Sequence, residues 1–475
     1  MAGIVAYGAY VPYARLQRSA ITASLGAGGG KGTRAVAAYD EDAMSMGVEA
    51  GRLALRAAPD GVTARGVVFA TTAPPYLDKT NATAIHAALR LDTSAPAYDM
   101  LGSVRSGIGA LRAAVDAAVG GRETLAVLSD VRTGLPGGGD EANGGDAAVA
   151  FLFAADGPIL LDTLGNAAST AEFLDRWRLQ GDDHSSVWEE RFGEQVYVPL
   201  AEAAVTDAFK QAGITAADVD ILLVAGLHGR AVKAVARAIG TRPEALADDL
   251  TTTVGNPGAA QPGLLLADAL DRAEPGQVIV LVTLADGAEA AVFRATDALG
   301  AYTERRARTV AEQVAGGDDS LAYPTFLTWR GHLHREPPRR PDPERPAAPP
   351  SSRHDHWKFG FVGTRCEACE TRHLPPQRVC VRCGVADRMA PEPMADVPGT
   401  IATYTVDRLA FSLNPPVVAA VIDFDGGGRF QCELTDVDPA TVQIGDRVEM
   451  TFRRLFTSGG VHNYFWKARP IREEA

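Results

Sequence analysis

Up to about residue 300, short apolar runs bounded by Gly, Pro and Asp alternate with longer Ala-rich stretches whose apolar residues recur at helical spacing. The runs "RGVVFATTA", "ETLAVLSDV", "DAAVAFLFAA", "VDILLVAGL", "GQVIVLVTLADG" and "EAAVFRATD" predict strands, and "GALRAAVDAAV", "PLAEAAVTDAFKQAG" and "RAVKAVARAIG" predict helices. Alternation of this kind predicts an α/β layered fold. The strands form two matching sets: "GVVFATTA" corresponds to "ILLVAGLH", "TLAVLSDVRTG" to "VIVLVTLADG", and "GDAAVAFLFAAD" to "GAEAAVFRATD". The shared order predicts an internal duplication, with halves over residues 1–165 and 166–330 and a closing helix at the end of the second.

Beyond it, "REPPRRPDPERPAAPPSSR" predicts an extended, semi-rigid linker over residues 331–355. All five cysteines follow residue 365, so the α/β part has no thiolate of its own. Cys366, Cys369, Cys380 and Cys383 form two CxxC pairs, the spacing of a four-thiolate tetrahedral zinc site. With all four ligands from protein, that Zn2+ is expected to be structural, in a zinc ribbon over residues 356–390. Short strands with Gly/Asp turns then predict a small barrel over residues 391–475, and Cys432 is read as a strand residue facing its interior.

The 475-residue chain carries a net charge of −13, which argues against nucleic acid binding, as does a barrel whose stretches "VIDFDGGG" and "ELTDVDP" are acidic. No apolar run approaches the length of a membrane span, and "MAGIVAYGAYVPYARL" lacks the features of a signal peptide, so a cytoplasmic location is expected. "GAGGGKG" lacks the Walker spacing and is read as a loop.

"AYDMLGSVRSGIGALRAAV" reads as a strand entering a Gly/Ser elbow and then a helix, the shape on which several α/β enzymes offer a nucleophile, yet Val104 stands at the turn. This segment, with "GIVAYGAYVP", "APPY", "GGDAAVAFL", "WEERFGEQVY", "LLVAGLHGRAVKAVARAIG" and "VGNPGAAQP", resembles the thiolase superfamily, in the pattern of archaeal-type 3-hydroxy-3-methylglutaryl-CoA synthases. Residues 355–475 resemble the zinc-ribbon plus OB-fold module that accompanies such enzymes. The resemblance implies a duplicated thiolase-like five-layered α/β fold followed by a zinc ribbon and an OB-type barrel. It also implies a homodimer, a coenzyme A or carrier-bound thioester as substrate, and possible association with a thiolase. It places Val104 at the family's cysteine, Ala225 at its histidine and Thr72 at its glutamate. Asn256 then helps bind the thioester carbonyl or positions a water, and Arg230 replaces a lysine that meets the CoA phosphates.

Without a thiol the acyl-cysteine route is closed. Ser103 and Ser106 read as helix-start residues, though a serine acyl-enzyme with His228 as base stays open. The leading expectation is aldol or retro-aldol chemistry on a β-hydroxyacyl thioester, with elbow N–H groups and Asn256 holding the enolate oxygen. Tyr76, Tyr197 and His228 are the preferred bases. His86, on a helix facing the core or a dimer interface, His184, and Tyr323, alternatively read as an anchor of the final helix, are weaker candidates. Glu141 reads either as an interface residue or as a solvated loop residue. The alternatives are condensation or acyl transfer through another nucleophile, Cys432 included, and a silent scaffold subunit for a thiolase.

Overall fold

The computed structural model describes residues 2–339, 341 and 343–472. They form two compact units: Met1–Ala37, Asp42–Thr83 and Asp92–Phe326 make the first, and Ala38–Glu41, Ala84–Leu91 and Leu327–Ala475 the second.

The first unit is built on nine strands: β1 (Gly3–Tyr10), β2 (Val67–Thr71), β3 (Ala97–Leu101), β4 (Thr124–Val131), β5 (Asp146–Ala154), β6 (Leu161–Thr170), β7 (Ile221–Gly226), β8 (Val278–Leu284) and β9 (Gly287–Ala295). Their order across the sheet is β7-β8-β9-β6-β1-β5-β4-β2-β3. Read outward from the centre, β1-β5-β4-β2 on one side mirrors β6-β9-β8-β7 on the other. In both arms the outer pair is parallel and the next antiparallel. The strands matched by sequence, β2 with β7, β4 with β8 and β5 with β9, occupy equivalent places. The arms meet through one residue pair, Ile4 and Leu161. Strands β1, β4, β5 and β8 are buried along nearly their whole length, as near-continuous apolar runs require, whereas β6 is buried only at Leu161 and Gly165.

Five helices complete the layers: α1 (Ala43–Arg56), α2 (Arg105–Val119), α3 (Glu190–Ala212), α4 (Gly229–Ala238) and α5 (Gln261–Arg272). Helix α1 covers β1, β4 and β5, whereas α3 covers β6 and β9. Between the arms, α2 and α5 touch each other and strands of both. This gives the five-layered α-β-α-β-α arrangement. Position in the layers explains composition: α5 buries almost every residue from Gln261 to Leu270. On α3 only one stripe is buried, Tyr197, Ala201, Ala204, Val205 and Ala208, which is the spacing of one helical face. Gly107 on α2 has a specific cause: a Cβ there would lie 2.0 Å from the Ala259 carbonyl oxygen.

In the second unit, β10 (Val362–Cys366), β11 (Arg372–His373) and β12 (Met389–Pro393) make a three-stranded ribbon. Five further strands, β13 (Gly399–Asp407), β14 (Val417–Phe424), β15 (Arg429–Glu433), β16 (Arg447–Ser458) and β17 (Val461–Pro470), pair in the order β15-β14-β13-β16-β17. The Thr435 N–H closes this sheet toward a barrel by donating to Ala468 O at 2.9 Å. The predicted linker differs at its end: Ala348–Arg353 is a short helix, with prolines in its first turn where no N–H is missed. Arg340 and Asp342 of that linker lie outside the described residues.

An ion cluster is buried in this second unit. Lys467 Nζ reaches Asp40 Oδ2 at 3.0 Å and Glu433 at 2.8 Å, while Arg453 bonds Glu41 and Asp436. Burial works against an ionised Asp40, but Lys467 and Arg453 outweigh it and hold the carboxyl below its usual range. Removing one member leaves charges unpaired away from water. Lys467→Met is therefore expected to lower stability by about 3–5 kcal/mol in chemical denaturation. Because the folded Asp40 value is depressed, the wild-type contribution is present at neutral pH and is lost as pH falls through that value. The variant should show a shallower loss on acidification.

Candidate functional site

The four ribbon cysteines come together. Their sulfurs lie within 4.8 Å of one another, with Cys366–Cys383 at 3.7 Å and Cys369–Cys380 at 3.5 Å. A tetrahedral ion with metal–sulfur bonds of about 2.3 Å sets sulfurs roughly 3.8 Å apart, so the set fits such an ion. Each CxxC sits on a tight turn: Glu370 N–H donates to Cys366 O and Gly384 N–H to Cys380 O, and both donors adopt positive φ (61° and 73°). Hydrogen bonds from Thr371, side chain and backbone, hold the Cys369 thiol down to about 6, which favours the thiolate a metal needs.

The α/β unit gathers its chemistry at the C-terminal ends of its parallel strands, where open α/β sheets present ligand sites. Thr72 follows β2 and Val104 caps α2. The Gly102 N–H bonds Thr71 O at 3.3 Å, so the two lie on adjacent strand ends. Ala225, near the end of β7, is buried and pairs in register with Thr283. Val104 and Ala225 carry no acid, base or nucleophile, and Thr72 offers a hydroxyl where the family has a carboxyl. The Thr72 hydroxyl is engaged by Asp130 (2.9 and 2.8 Å) and by Arg132 Nη1 (3.0 Å). Asp130 also accepts from Thr71 Oγ1, Thr72 N–H and Ala259 N–H. Ser103 Oγ accepts from Arg105 N–H at 3.1 Å, consistent with a helix-start role.

A polar chain runs from the elbow. Arg105 Nη1 donates to Ala285 O (3.0 Å) and Asp286 O (2.6 Å). Asp286 has φ 47°, a left-handed conformation uncommon for a side-chain-bearing residue and typical of strained functional loops. Burial raises its carboxyl, Arg105 opposes, and Asp175 adds to the rise; the Ser103 hydroxyl approaches it. Tyr197, from α3, lies next. Its OH is 3.4 Å from Asp175 Oδ2, and its ring meets that of His228 at 6.1 Å. Burial, then the Asp175 charge, pushes the phenol well above its ordinary value, so it stays protonated. His228 caps α4 by accepting the Ala231 N–H at Nδ1 (3.1 Å), which places the proton of a neutral ring on Nε2. Asp175 is buried, and its Oδ1 has no hydrogen-bond partner among the described residues. Gly193 faces both side chains: a Cβ there would lie 2.8 Å from Asp175 Oδ1 and from His228 Nε2.

The structure thus brings Tyr197 and His228 together and adds Asp175 and Asp286, which sequence reasoning missed. The only signal for Asp286 was its "DG" pair, and Asp175 sits in a stretch without periodicity. Tyr76 lies apart, on a loop after β2 pinned by Asn81, whose side chain bonds both its N–H and its C=O. Asn256 is buried with its amide engaged: Nδ2 donates to Gly226 O (2.8 Å) and Gln261 Oε1 (2.7 Å), and Oδ1 accepts the Gly258 N–H (2.9 Å). It holds the β7 end to the start of α5 and offers no spare donor. Arg230 is exposed in the first turn of α4. Glu141 is not a solvated loop residue. It is fully buried and accepts from Tyr323 OH at 3.0 Å, so Tyr323 anchors the helix Tyr323–Trp329. His184 pairs with Asp183 at 2.7 Å, and His86 lies on the helix Ala82–Ala88. Burial pushes the Cys432 thiol up to about 12, the opposite of an activated nucleophile.

The layered fold is thiolase-like. Residues 209–294 match the C-terminal model of 3-oxoacyl-[acyl-carrier-protein] synthase III. Residues 360–387 match the rubredoxin-like zinc ribbon domain of ChsH2, and residues 392–453 its C-terminal OB-fold domain. The hydroxymethylglutaryl-CoA synthase of Aeropyrum pernix is 30% identical over 297 residues, 60% of this chain and 82% of the relative. That of Methanosphaera stadtmanae is 27% identical over 344 residues, 70% of this chain and 99% of the relative. A DUF35 domain-containing scaffold protein of Methanocaldococcus jannaschii is 32% identical over 126 residues, 26% of this chain and 89% of the relative. A solved HMG synthase of curacin biosynthesis, in complex with apo donor-ACP, superposes with a TM-score of 0.59 at 19% identity, covering 70% of this chain and 88% of that one. The chain belongs to the hydroxymethylglutaryl-CoA synthase family, with a DUF35-type module fused to it. No helix among the described residues is long and apolar enough to cross a membrane.

Denaturing the protein with a chromogenic thiol-competitive chelator is expected to release one equivalent of divalent metal per chain. Cys380→Ser should lower this stoichiometry and expose the ribbon to protease.

Proposed function

We propose that this chain is an acyl-CoA-binding enzyme that makes or cleaves a carbon–carbon bond by aldol or retro-aldol chemistry, with no acyl-cysteine. One observation carries the reading. The elbow of a thioester-condensing fold holds Val104 in a unit without cysteine, while a buried carboxylate oxygen with no hydrogen-bond partner among the described residues, Asp175 Oδ1, stands in a polar chain leading from that elbow.

In the cleavage direction, Asp175 takes the proton of the β-hydroxyl. The O–H electrons form the new carbonyl, the Cα–Cβ bond breaks, and its electrons pass to the thioester carbonyl as an enolate. The Val104 N–H, at the positive end of α2, stabilises the enolate oxygen. Asp175 then gives the proton it took to Cα, while the His228 Nε2–H donates a hydrogen bond toward the same space, so that both side chains end as they began. Tyr197 donates toward Asp175 and positions it. Asn256 acts by holding the Gly226 carbonyl in place. Arg230 meets the CoA phosphates, and the chain works as a homodimer. The four ribbon thiolates hold a structural Zn2+ that supplies folding free energy to the module and no open coordination position.

The scaffold reading has one support, the name of the relative that resembles the C-terminal module. A turnover assay separates the two. The protein is expected to release an aldehyde or ketone from a β-hydroxyacyl-CoA, and Asp175→Asn to slow this by about 100-fold or more. Gly193→Ala, whose Cβ intrudes between Asp175 and His228, is expected to slow it with the fold intact by circular dichroism. Intact mass after substrate addition should show no acyl adduct. An adduct within residues 1–365, or a full rate in Asp175→Asn, overturns the mechanism. No turnover with any thioester, together with co-purification of a thiolase, supports the scaffold instead.

A further inference from the structure

The turn between β8 and β9 carries a carboxyl that the chemistry above does not use. Only Ala285 and Asp286 separate the two strands, and Asp286 is exposed with φ 47°. The turn is anchored from the elbow. Arg105, the first residue of α2, donates Nη1 to the carbonyls of Ala285 (3.0 Å) and Asp286 (2.6 Å), and Nη2 to Thr170 Oγ1 (2.8 Å). Gly287 leaves room for that guanidinium, since a Cβ there would lie 2.6 Å from Arg105 Nη1. The side chain at 286 is therefore carried on a clamped turn and not on a free loop.

Asp286 faces both ends of the polar chain. On the elbow side the Ser103 hydroxyl, one residue before Val104, approaches its carboxyl. On the other side its backbone meets the Tyr197 hydroxyl of α3, and Asp175 lies near enough to act on its charge. The charged groups around it are Arg105 from α2 and, from the segment after β6, Asp175 and Glu172. Arg105 is itself shared with Glu289 of β9. Burial first, then Asp175 and Glu172, push the Asp286 carboxyl up; Arg105 and Ser103 oppose them, and the net direction is upward. A pair of interacting carboxyls supplies an acid and a base when one of them keeps its proton. In the mechanism above Asp175 is the base, and the enolate oxygen has a single donor, the Val104 N–H. Preorganised oxyanion sites hold such an oxygen with more than one.

We propose that Asp286 is a further catalytic residue: from the clamped turn beside the elbow, its carboxylic O–H donates the second hydrogen bond to the enolate oxygen held by the Val104 N–H. The inference rests on the thioester reading above and adds a group to it. The proton stays on Asp286 throughout. The hydrogen bond strengthens as the electrons of the Cα–Cβ bond reach the oxygen, and no bond to Asp286 forms or breaks.

Profiles of kcat against pH for the full chain with a β-hydroxyacyl-CoA test this, in the wild type, Asp286→Asn and Asp286→Gly. Asn and Gly both accept the left-handed backbone at this turn, so the variants change the carboxyl without straining the fold. An acid donor is lost when it ionises, so the wild-type kcat is expected to fall on the alkaline side. Asparagine keeps a donor that does not titrate. Asp286→Asn is therefore expected to stay within about ten-fold of the wild-type kcat and to lose the alkaline limb. Asp286→Gly should lower kcat by about 100-fold or more with KM little changed, because the bond is made in the transition state. A full rate in Asp286→Gly overturns the assignment while leaving the thioester reading standing. An alkaline limb that persists in Asp286→Asn also overturns it, by assigning Asp286 to holding the turn. Absence of turnover by the wild type removes the reaction and this role with it.

Discussion

The carboxylate of Asp130 is the point on which the α/β unit is organised. It sits at the end of β4 and receives the Thr71 hydroxyl, the Thr72 N–H and hydroxyl, and the Ala259 N–H. These donors come from β2 in the first half and from the turn before α5 in the second. Charge-assisted hydrogen bonds of this kind are roughly twice as strong as neutral ones, and a buried carboxylate stripped of them is heavily penalised. The same turn packs the Ala259 carbonyl against Gly107, so the second half also sets the depth of the elbow helix. The ends of β2 and β4 and the elbow are thus held in place by one buried carboxylate and one close backbone contact.

That constraint explains how the family's reactive positions can be vacated without collapse of the frame. Val104, Thr72 and Ala225 all lie at strand ends whose backbones are held by other residues: Asp130 for Thr72, Asn256 and Gln261 for the end of β7, and Arg105 for the end of β8. In the proposed mechanism the acting groups lie one step outward, on α3 and on the segment around Asp175. Chemistry there is compatible with the frame because the frame does not pass through it.

Sequence reading reached the frame and the metal centre because both are written in local periodicity or local spacing. The paired strand sets gave the mirrored arms, since each central strand is an uninterrupted apolar run bounded by turn residues. The cysteines gave the tetrahedral cluster, since CxxC fixes two ligands on one turn. Tyr197 and His228 were reached through segments that resemble relatives. Asp175 and Arg132 were not, because a lone charge in "FLDRW" or "SDVRTG" carries no pattern; its burial arises from elements far away in the chain. Asn256 shows the opposite error. Its place in "VGNPG" was legible, but the engagement of its whole amide by Gly226, Gln261 and Gly258 was not.

Thr72 and Arg132 share one hydrogen bond at the end of β2. The resemblance places a glutamate at position 72, and a carboxylate there, beside Arg132, would form a close ion pair that holds the acid ionised. Threonine removes the charge but keeps a hydroxyl that accepts from Arg132 and donates to Asp130, so the guanidinium stays oriented. At Asp175, Oδ2 faces Tyr197 while Oδ1 has no hydrogen-bond partner among the described residues, and in the proposed mechanism that oxygen is the base.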